Sequence, residues 1–145
     1  MFKSTHAQGD LVQVEEGATR LLGLEGLTVV QVVVDDAGRR IVHAVTADEV
    51  PAGCPECGVV STSRKGRVVT FPRDVPYGQD LVRLVWHKHR WRCQEQLCPR
   101  GSFTESIRQV PPRSRLTCRL RGEVGSAAAD RFRCVLAVAV HYRLS

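Results

Sequence analysis

Two close pairs of cysteines, Cys54-Pro55-Glu56-Cys57-Gly58 and Cys93-Gln94-Glu95-Gln96-Leu97-Cys98, constrain this chain more than anything else in it. A tight turn can point both sulfurs of a pair at one ion. Two such turns clamp it from opposite sides, which is the donor set of a closed tetrahedral zinc site. Pro55 stiffens the first turn, and Gly58 lets the backbone curl beneath the ion. Thirty-five residues separate the pairs, room for a β excursion that returns to the metal. The spacing therefore predicts one structural Zn2+ held by Cys54, Cys57, Cys93 and Cys98. A full thiolate shell leaves no position for water or substrate, so such an ion supplies folding free energy rather than chemistry.

Disulfides among the six cysteines are the competing reading. They call for a secreted chain, and Met1 to Asp10 shows no basic start followed by an apolar stretch. The longest apolar run, Cys134 to Val140, is too short to cross a bilayer. A soluble cytoplasmic protein with no membrane partner is the expectation. His87 and His89 are alternative ligands, but four thiols already complete the shell. Cys118 and Cys134, sixteen residues apart and without partner pairs, read as buried free thiols.

Charge is divided sharply along the chain. Residues 1–61 hold four Lys/Arg against nine Asp/Glu, whereas residues 62–121 hold fourteen against four. The cationic excess thus surrounds the second cysteine pair. It is rich in arginine, which grips phosphate with two parallel hydrogen bonds. Such an excess points to a polyanion, because cations beside a phosphate backbone release condensed counterions. A solvated basic surface is the plainer alternative. No basic amphipathic helix of the membrane-surface type is evident.

Hydrophobic patterning predicts an α+β protein. Its parts are a small antiparallel β-hairpin, a zinc-ribbon-like β module and a C-terminal helical segment, divided as 1–50, 51–106 and 107–145. Residues 1–18 are polar and aperiodic, and Thr19 to Leu24 reads as a short helix or turn ending at Gly23 or Gly26. Leu27 to Val34 is rich in β-branched residues, and Arg39 to Thr46 alternates, with Asp35-Asp36-Ala37-Gly38 as the turn between them. Arg67 to Phe71 reads as a strand, Arg73 to Gly78 as a loop, and Asp80 to Cys93 as the longest strand. On that strand Leu81, Arg83 and Val85 share one face and Val82, Leu84 and Trp86 the other. Beyond Trp86 the second face turns polar with Lys88, Arg90 and Arg92, which suggests a bulge. After Pro111-Pro112, Arg113 to Arg121 reads as the start of a basic amphipathic helix, and residues 126–140 are Ala/Val-rich and read as helix, with strand the alternative for so Val-rich a stretch.

Trp86 to Arg92 interleaves rings with cations, a pattern that suits nucleic acid, although Trp86 itself reads as core. The expected DNA contacts are Arg64, Lys65, Arg67, Lys88, Arg90, Arg92, Arg113, Arg115, Arg119 and Arg121. His43 reads as an ordinary strand residue. Asp74 caps its turn or pairs with a neighbouring arginine. No phosphate-binding glycine loop, oriented nucleophile or open metal site is present, so no catalysis is expected of this chain alone.

In order, the chain carries Leu22-Gly23-Leu24-Glu25-Gly26-Leu27, Cys54-Pro55-Glu56-Cys57-Gly58, Gly66-Arg67, Arg73-Asp74-Val75-Pro76, Trp91-Arg92-Cys93, Cys98-Pro99-Arg100, Phe103-Thr104-Glu105 and Arg113-Ser114-Arg115-Leu116-Thr117. This series resembles the N-terminal zinc-binding region of bacterial insertion-sequence transposases of the ISL-three family, from about residue 20 to residue 121. The resemblance implies a DNA-binding part that helps recognise the element's terminal inverted repeats. In that family it precedes a helix-turn-helix segment and a DDE catalytic domain. By position it also implies that Cys54, Cys57, Cys93 and Cys98 are the zinc ligands. Lys65 stands where the family often has His, at a position that is no ligand here. The match fades after Arg121, and Gly122 to Ser145 does not read as a helix-turn-helix, so the expectation is a truncated or frame-disrupted copy, or an isolated N-terminal segment, without the catalytic domain. The expected partner is double-stranded DNA of the terminal repeats, with homo-oligomerisation left open. A zinc-ribbon module that binds protein, its arginines serving solubility, is the alternative.

Overall fold

The computed structural model describes residues 16–78, 82–130 and 135–142. A short helix, α1, covers residues 16–22. It ends where Gly23 takes a φ of 62° and donates its N–H to Thr19 O at 3.2 Å, a left-handed stop that glycine enters without a Cβ clash. Five strands follow: β1 (Leu27–Val34), β2 (Arg40–Thr46), β3 (Arg64–Thr70), β4 (Val82–Arg92) and β5 (Ser102–Thr104). Two helices, α2 (Cys118–Asp130) and α3 (Val135–His141), pack on each other. The result is α+β, as the patterning predicts.

The strands form one mixed sheet in the order β1-β2-β4-β3. The hairpin β1–β2 closes through Asp35, whose carboxylate accepts the backbone N–H groups of Ala37 and Arg39, both at 2.9 Å. Its β-branched sequence suits the pleat. β4 is the central strand. Its first half pairs in parallel with β2, from Arg40↔Val82 to Val45↔His87. Its second half pairs on that same edge with β5, from Arg90↔Thr104 to Arg92↔Ser102. The other edge carries antiparallel β3, from Thr70↔Trp86 to Arg64↔Trp91. The hairpin and the cysteine-bearing excursion thus share one sheet, through a parallel contact that local sequence does not announce.

The expected bulge falls on the partner rather than on β4. Lys65 is the extra residue of β3, lying between Arg64↔Trp91 and Gly66↔Arg90. Val30 plays the same part in β1.

The core lies on one face of the sheet. Leu22 and Leu24 cover Leu27, Val29, Ala44, Leu84 and Trp86, with Ile107 and Val110 from the segment after β5. Trp86 is fully buried, which agrees with its reading as core, and its indole N–H donates to Thr46 Oγ1 at 3.1 Å. The strand reading of Arg67 to Phe71 extends back to Arg64. Asp80 and Leu81 of the expected long strand lie outside the described residues, as does Cys134.

Two expectations for the C-terminal segment need correction. The helix begins at Cys118 and not at Arg113. Thr117 caps it, accepting the Leu120 N–H at 3.2 Å, while Ser114 closes a turn onto Pro111 O and Arg113 adopts a φ of 65°. The proline pair and this cap leave Arg113 and Arg115 in a loop. Cys118, expected to be buried, is exposed, because the first residue after the cap faces outward with its thiol on Arg108 O at 3.5 Å.

Candidate metal centre and its cationic surroundings

The first cysteine turn is built by its own backbone. Gly58 N–H donates to Cys54 O at 2.8 Å with a φ of 76°, and Cys54 N–H donates to Val59 O at 3.0 Å. That left-handed glycine reverses the chain so that both thiols face the same way. The second turn begins where β4 ends. Cys93 N–H reaches Gly101 O at 3.2 Å, and Cys98 N–H reaches Glu95 O at 3.2 Å. Arg100 spans the two turns, with its Nη1 3.3 Å from Glu56 Oε1. Further in, the Gln94 side-chain oxygen accepts the Thr62 N–H at 2.8 Å, tying the excursion's return to its start.

These contacts bring the four expected sulfurs together. All lie within 4.8 Å of one another, with Cys57–Cys93 at 3.6 Å and Cys54–Cys98 at 3.9 Å. A tetrahedral zinc with bonds of about 2.3 Å places its sulfurs about 3.8 Å apart. The quartet therefore fits one such ion. His87 and His89 are not part of it; among the described residues only these cysteines form a metal-ligating group.

The closeness of the sulfurs also shifts their protonation. Desolvation raises the Cys54 thiol, but the N–H groups of Cys57 and Glu56 and the neighbouring thiols outweigh it and hold it down to about 7. At Cys93 the Glu95 N–H pulls downward. Desolvation and hydrogen bonds with the other three thiols prevail, and push it up to about 12. Cys98 is raised as well, against the pull of the Arg100 N–H. Four sulfurs this close cannot all ionise by themselves, because each thiolate opposes the next. A dication removes that conflict and takes all four as thiolates.

Beside the metal end, Glu105 collects three donors: Thr46 Oγ1–H at 2.6 Å, His89 N–H at 3.1 Å and the Trp91 indole N–H at 3.1 Å. Through Thr46 it also reaches Trp86, so one carboxylate ties β2 and β4 to the segment after β5. Nearby, the Lys88 ammonium sits 3.8 Å from the Trp86 ring centroid. Desolvation lowers its pKa, against the pull of Glu105.

Sequence reasoning missed Glu105. It stands in the Phe103-Thr104-Glu105 stretch of the resemblance, but no role follows from that, because its partners on β4 and β2 come together only through the β4–β5 and β2–β4 pairings.

The expected DNA contacts are spread over β3, β4 and the start of α2. Arg64 and Arg67 lie on β3, Lys65 on its bulge, and Lys88, Arg90 and Arg92 on alternate positions of β4. Arg90 donates to Ser102 Oγ at 3.1 Å, and Arg92 donates to Arg64 O at 2.7 Å. Arg113, Arg115 and Arg121 are exposed near the start of α2, where Arg121 donates to Ser114 Oγ at 2.9 Å.

Arg119 has internal partners of its own. Its guanidinium is turned into the protein, against Asp74, Tyr77 Oη and the carbonyls of Leu22 and Gly23. There it docks α2 on the end of α1. Asp74 also accepts the Thr117 hydroxyl at 2.7 Å, and its arginine partner is Arg119, 45 residues along the chain, rather than a sequence neighbour.

No helix among the described residues is long and apolar enough to cross a membrane. No curated protein and no solved structure matches the chain. Residues 51–98, from the approach to the first cysteine turn through the last cysteine, match the family model of the zinc-finger of transposase IS204/IS1001/IS1096/IS1165. Residues 51–98 are thus similar to that zinc-finger, and the cysteine quartet supplies the four thiols that one structural zinc takes.

Proposed function

We propose that this chain is the zinc-dependent DNA-binding portion of an insertion-sequence transposase. It would recognise the element's terminal repeats as double-stranded DNA in the cytoplasm and perform no catalysis of its own. The match of residues 51–98 to the transposase zinc-finger carries the reading. The concentration of cations between residues 62 and 121 supports it, since the ribbon holds that segment in place. In this reading the ion works at a distance from DNA. It fixes both ends of the excursion, and the excursion delivers β3 and β4 with their arginines at set positions.

Fluorescence anisotropy with the zinc-loaded chain and a random duplex tests the reading. Binding should appear at low salt and fall steeply as salt rises, with extra affinity for duplexes ending in the element's own repeats. Absence of salt-sensitive binding refutes it. A protein-binding ribbon is the second reading, favoured by Val32, Val33 and Val34 exposed along the edge strand β1. It predicts self-association or partner capture that is indifferent to salt.

A further inference from the structure

We propose that the DNA-contacting surface is the face of the sheet opposite the core, through its exposed Arg67 and Arg83, rather than the cationic side bearing Lys88, Arg90 and Arg92. The inference rests on the DNA-binding reading and specifies where that binding occurs.

Alternation and register define the face. The core side takes Leu27, Val29, Ala44, Leu84 and Trp86. The opposite side therefore carries Ile41, His43 and Val45 of β2 beside Arg83, Val85 and His87 of β4; of these Val85 is buried, the β2 residues are half-buried, and Arg83 and His87 are exposed. β3 extends it, with Val69 opposite His87 and Arg67 opposite His89. Phe71 follows on the same side, its ring centroid 4.5 Å from the Arg83 guanidinium carbon. None of the strand residues on this face is acidic. Glu105 reaches only its rim, and its carboxylate is already engaged by Thr46, His89 and Trp91.

Rings on this face hold cations in place. Arg83 lies over Phe71, and Arg64 lies over Trp91 with 5.5 Å to the centroid. His43 stacks on His87, with centroids 5.2 Å apart and ring nitrogens at 2.9 Å. A guanidinium lying flat on a ring keeps its N–H edge free for phosphate and loses little rotamer entropy on binding. Arg67 and Arg83 are exposed and make no ion pair among the described residues. The other side differs: Arg90 and Arg92 are held by Ser102 and the Arg64 carbonyl, and Lys88 is half-buried over Trp86. Arg67 pairs with His89, six residues along β4 from Arg83. At about 3.3 Å per residue the two cations stand roughly 20 Å apart.

The test compares salt slopes of duplex binding for the zinc-loaded full chain. Arg67→Ala/Arg83→Ala should reduce the slope by about two units and weaken binding at least tenfold at 0.1 M salt, evenly across sequences. The charge-preserving Arg67→Lys/Arg83→Lys should restore most of the slope. Arg90→Ala/Arg92→Ala should change it by less than about half a unit. Zinc content and melting temperature, measured on each variant, separate lost contacts from lost folding. If the wild type binds with a steep slope and Arg67→Ala/Arg83→Ala leaves it unchanged, the placement is wrong and the DNA-binding reading stands. An equal loss from Arg90→Ala/Arg92→Ala, or tighter binding to single strands than to duplex, also overturns the placement. If the wild type does not bind, both fail.

Discussion

Asp74→Ala is the most informative single perturbation of the fold, because it separates an arginine that docks a helix from arginines that meet a ligand. The Asp74 side chain is only 7% exposed, and it accepts from Thr117 Oγ1 at 2.7 Å and Arg119 Nε at 2.8 Å, besides its contact with Arg119 Nη2. Removing one member of a buried ion pair costs about 3–5 kcal/mol when the survivor is left uncompensated. Arg119 is not left so. It is 29% exposed and keeps Leu22 O at 2.7 Å and Tyr77 Oη at 3.0 Å. The expected loss therefore falls to about 2–3 kcal/mol. With a urea m-value of about 2 kcal/mol per molar, the unfolding midpoint should drop by about 1–1.5 M. Arg119→Met should cost more, about 3–5 kcal/mol, since it leaves the carboxylate as the buried survivor. Urea titration of the zinc-loaded protein measures both, and hydrogen exchange should show the first turn of α2 opening before β4. A midpoint shift below about 0.3 M, or a larger loss for Asp74→Ala than for Arg119→Met, would refute the argument.

Other consequences are open to direct measurement. Chelation should unfold residues 51–98, and zinc release should grow as pH falls, since protons compete with the ion for the four thiolates; native mass spectrometry should show loss of one ion. Glu105→Ala strands three donors at a half-buried site and should cost about 2–4 kcal/mol by denaturant titration. Trp86→Phe removes the bond to Thr46 and leaves a void at a fully buried position, with an expected loss of about 1.5–3 kcal/mol. Gly26→Ala should cost about 1–3 kcal/mol in the same assay. Gly26 has a φ of 92°, and an added Cβ would stand 2.9 Å from Ile107 Cγ2.

The metal centre was legible in the chain because a closed zinc shell is a local demand. Each cysteine pair sits within a few residues on its own turn, and Pro55 and Gly58 give the first turn its shape. The β1–β2 hairpin was legible for a similar reason, since the β-branched run of Leu27 to Val34 is followed directly by a turn at Asp35 to Gly38. The helix reading for Arg113 to Arg121 failed on a detail of the same scale. Leucines four apart suggest a helical face, yet Thr117 takes the cap and starts the helix at Cys118.

By itself, then, the amino-acid order determined that four sulfurs would converge on an ion, that a hairpin would precede them, and that cations would crowd the returning strand. All of these rest on contacts between near neighbours or on spacing around one ion. Tertiary structure alone decided that β2 lies parallel to β4, that Glu105 gathers donors from both, that Arg119 closes on Asp74, and that Arg67 and Arg83 share the face opposite the core. Those outcomes join residues tens of positions apart. Which pairing wins is set by how the apolar face as a whole is buried around Trp86, a balance that no short stretch of sequence contains.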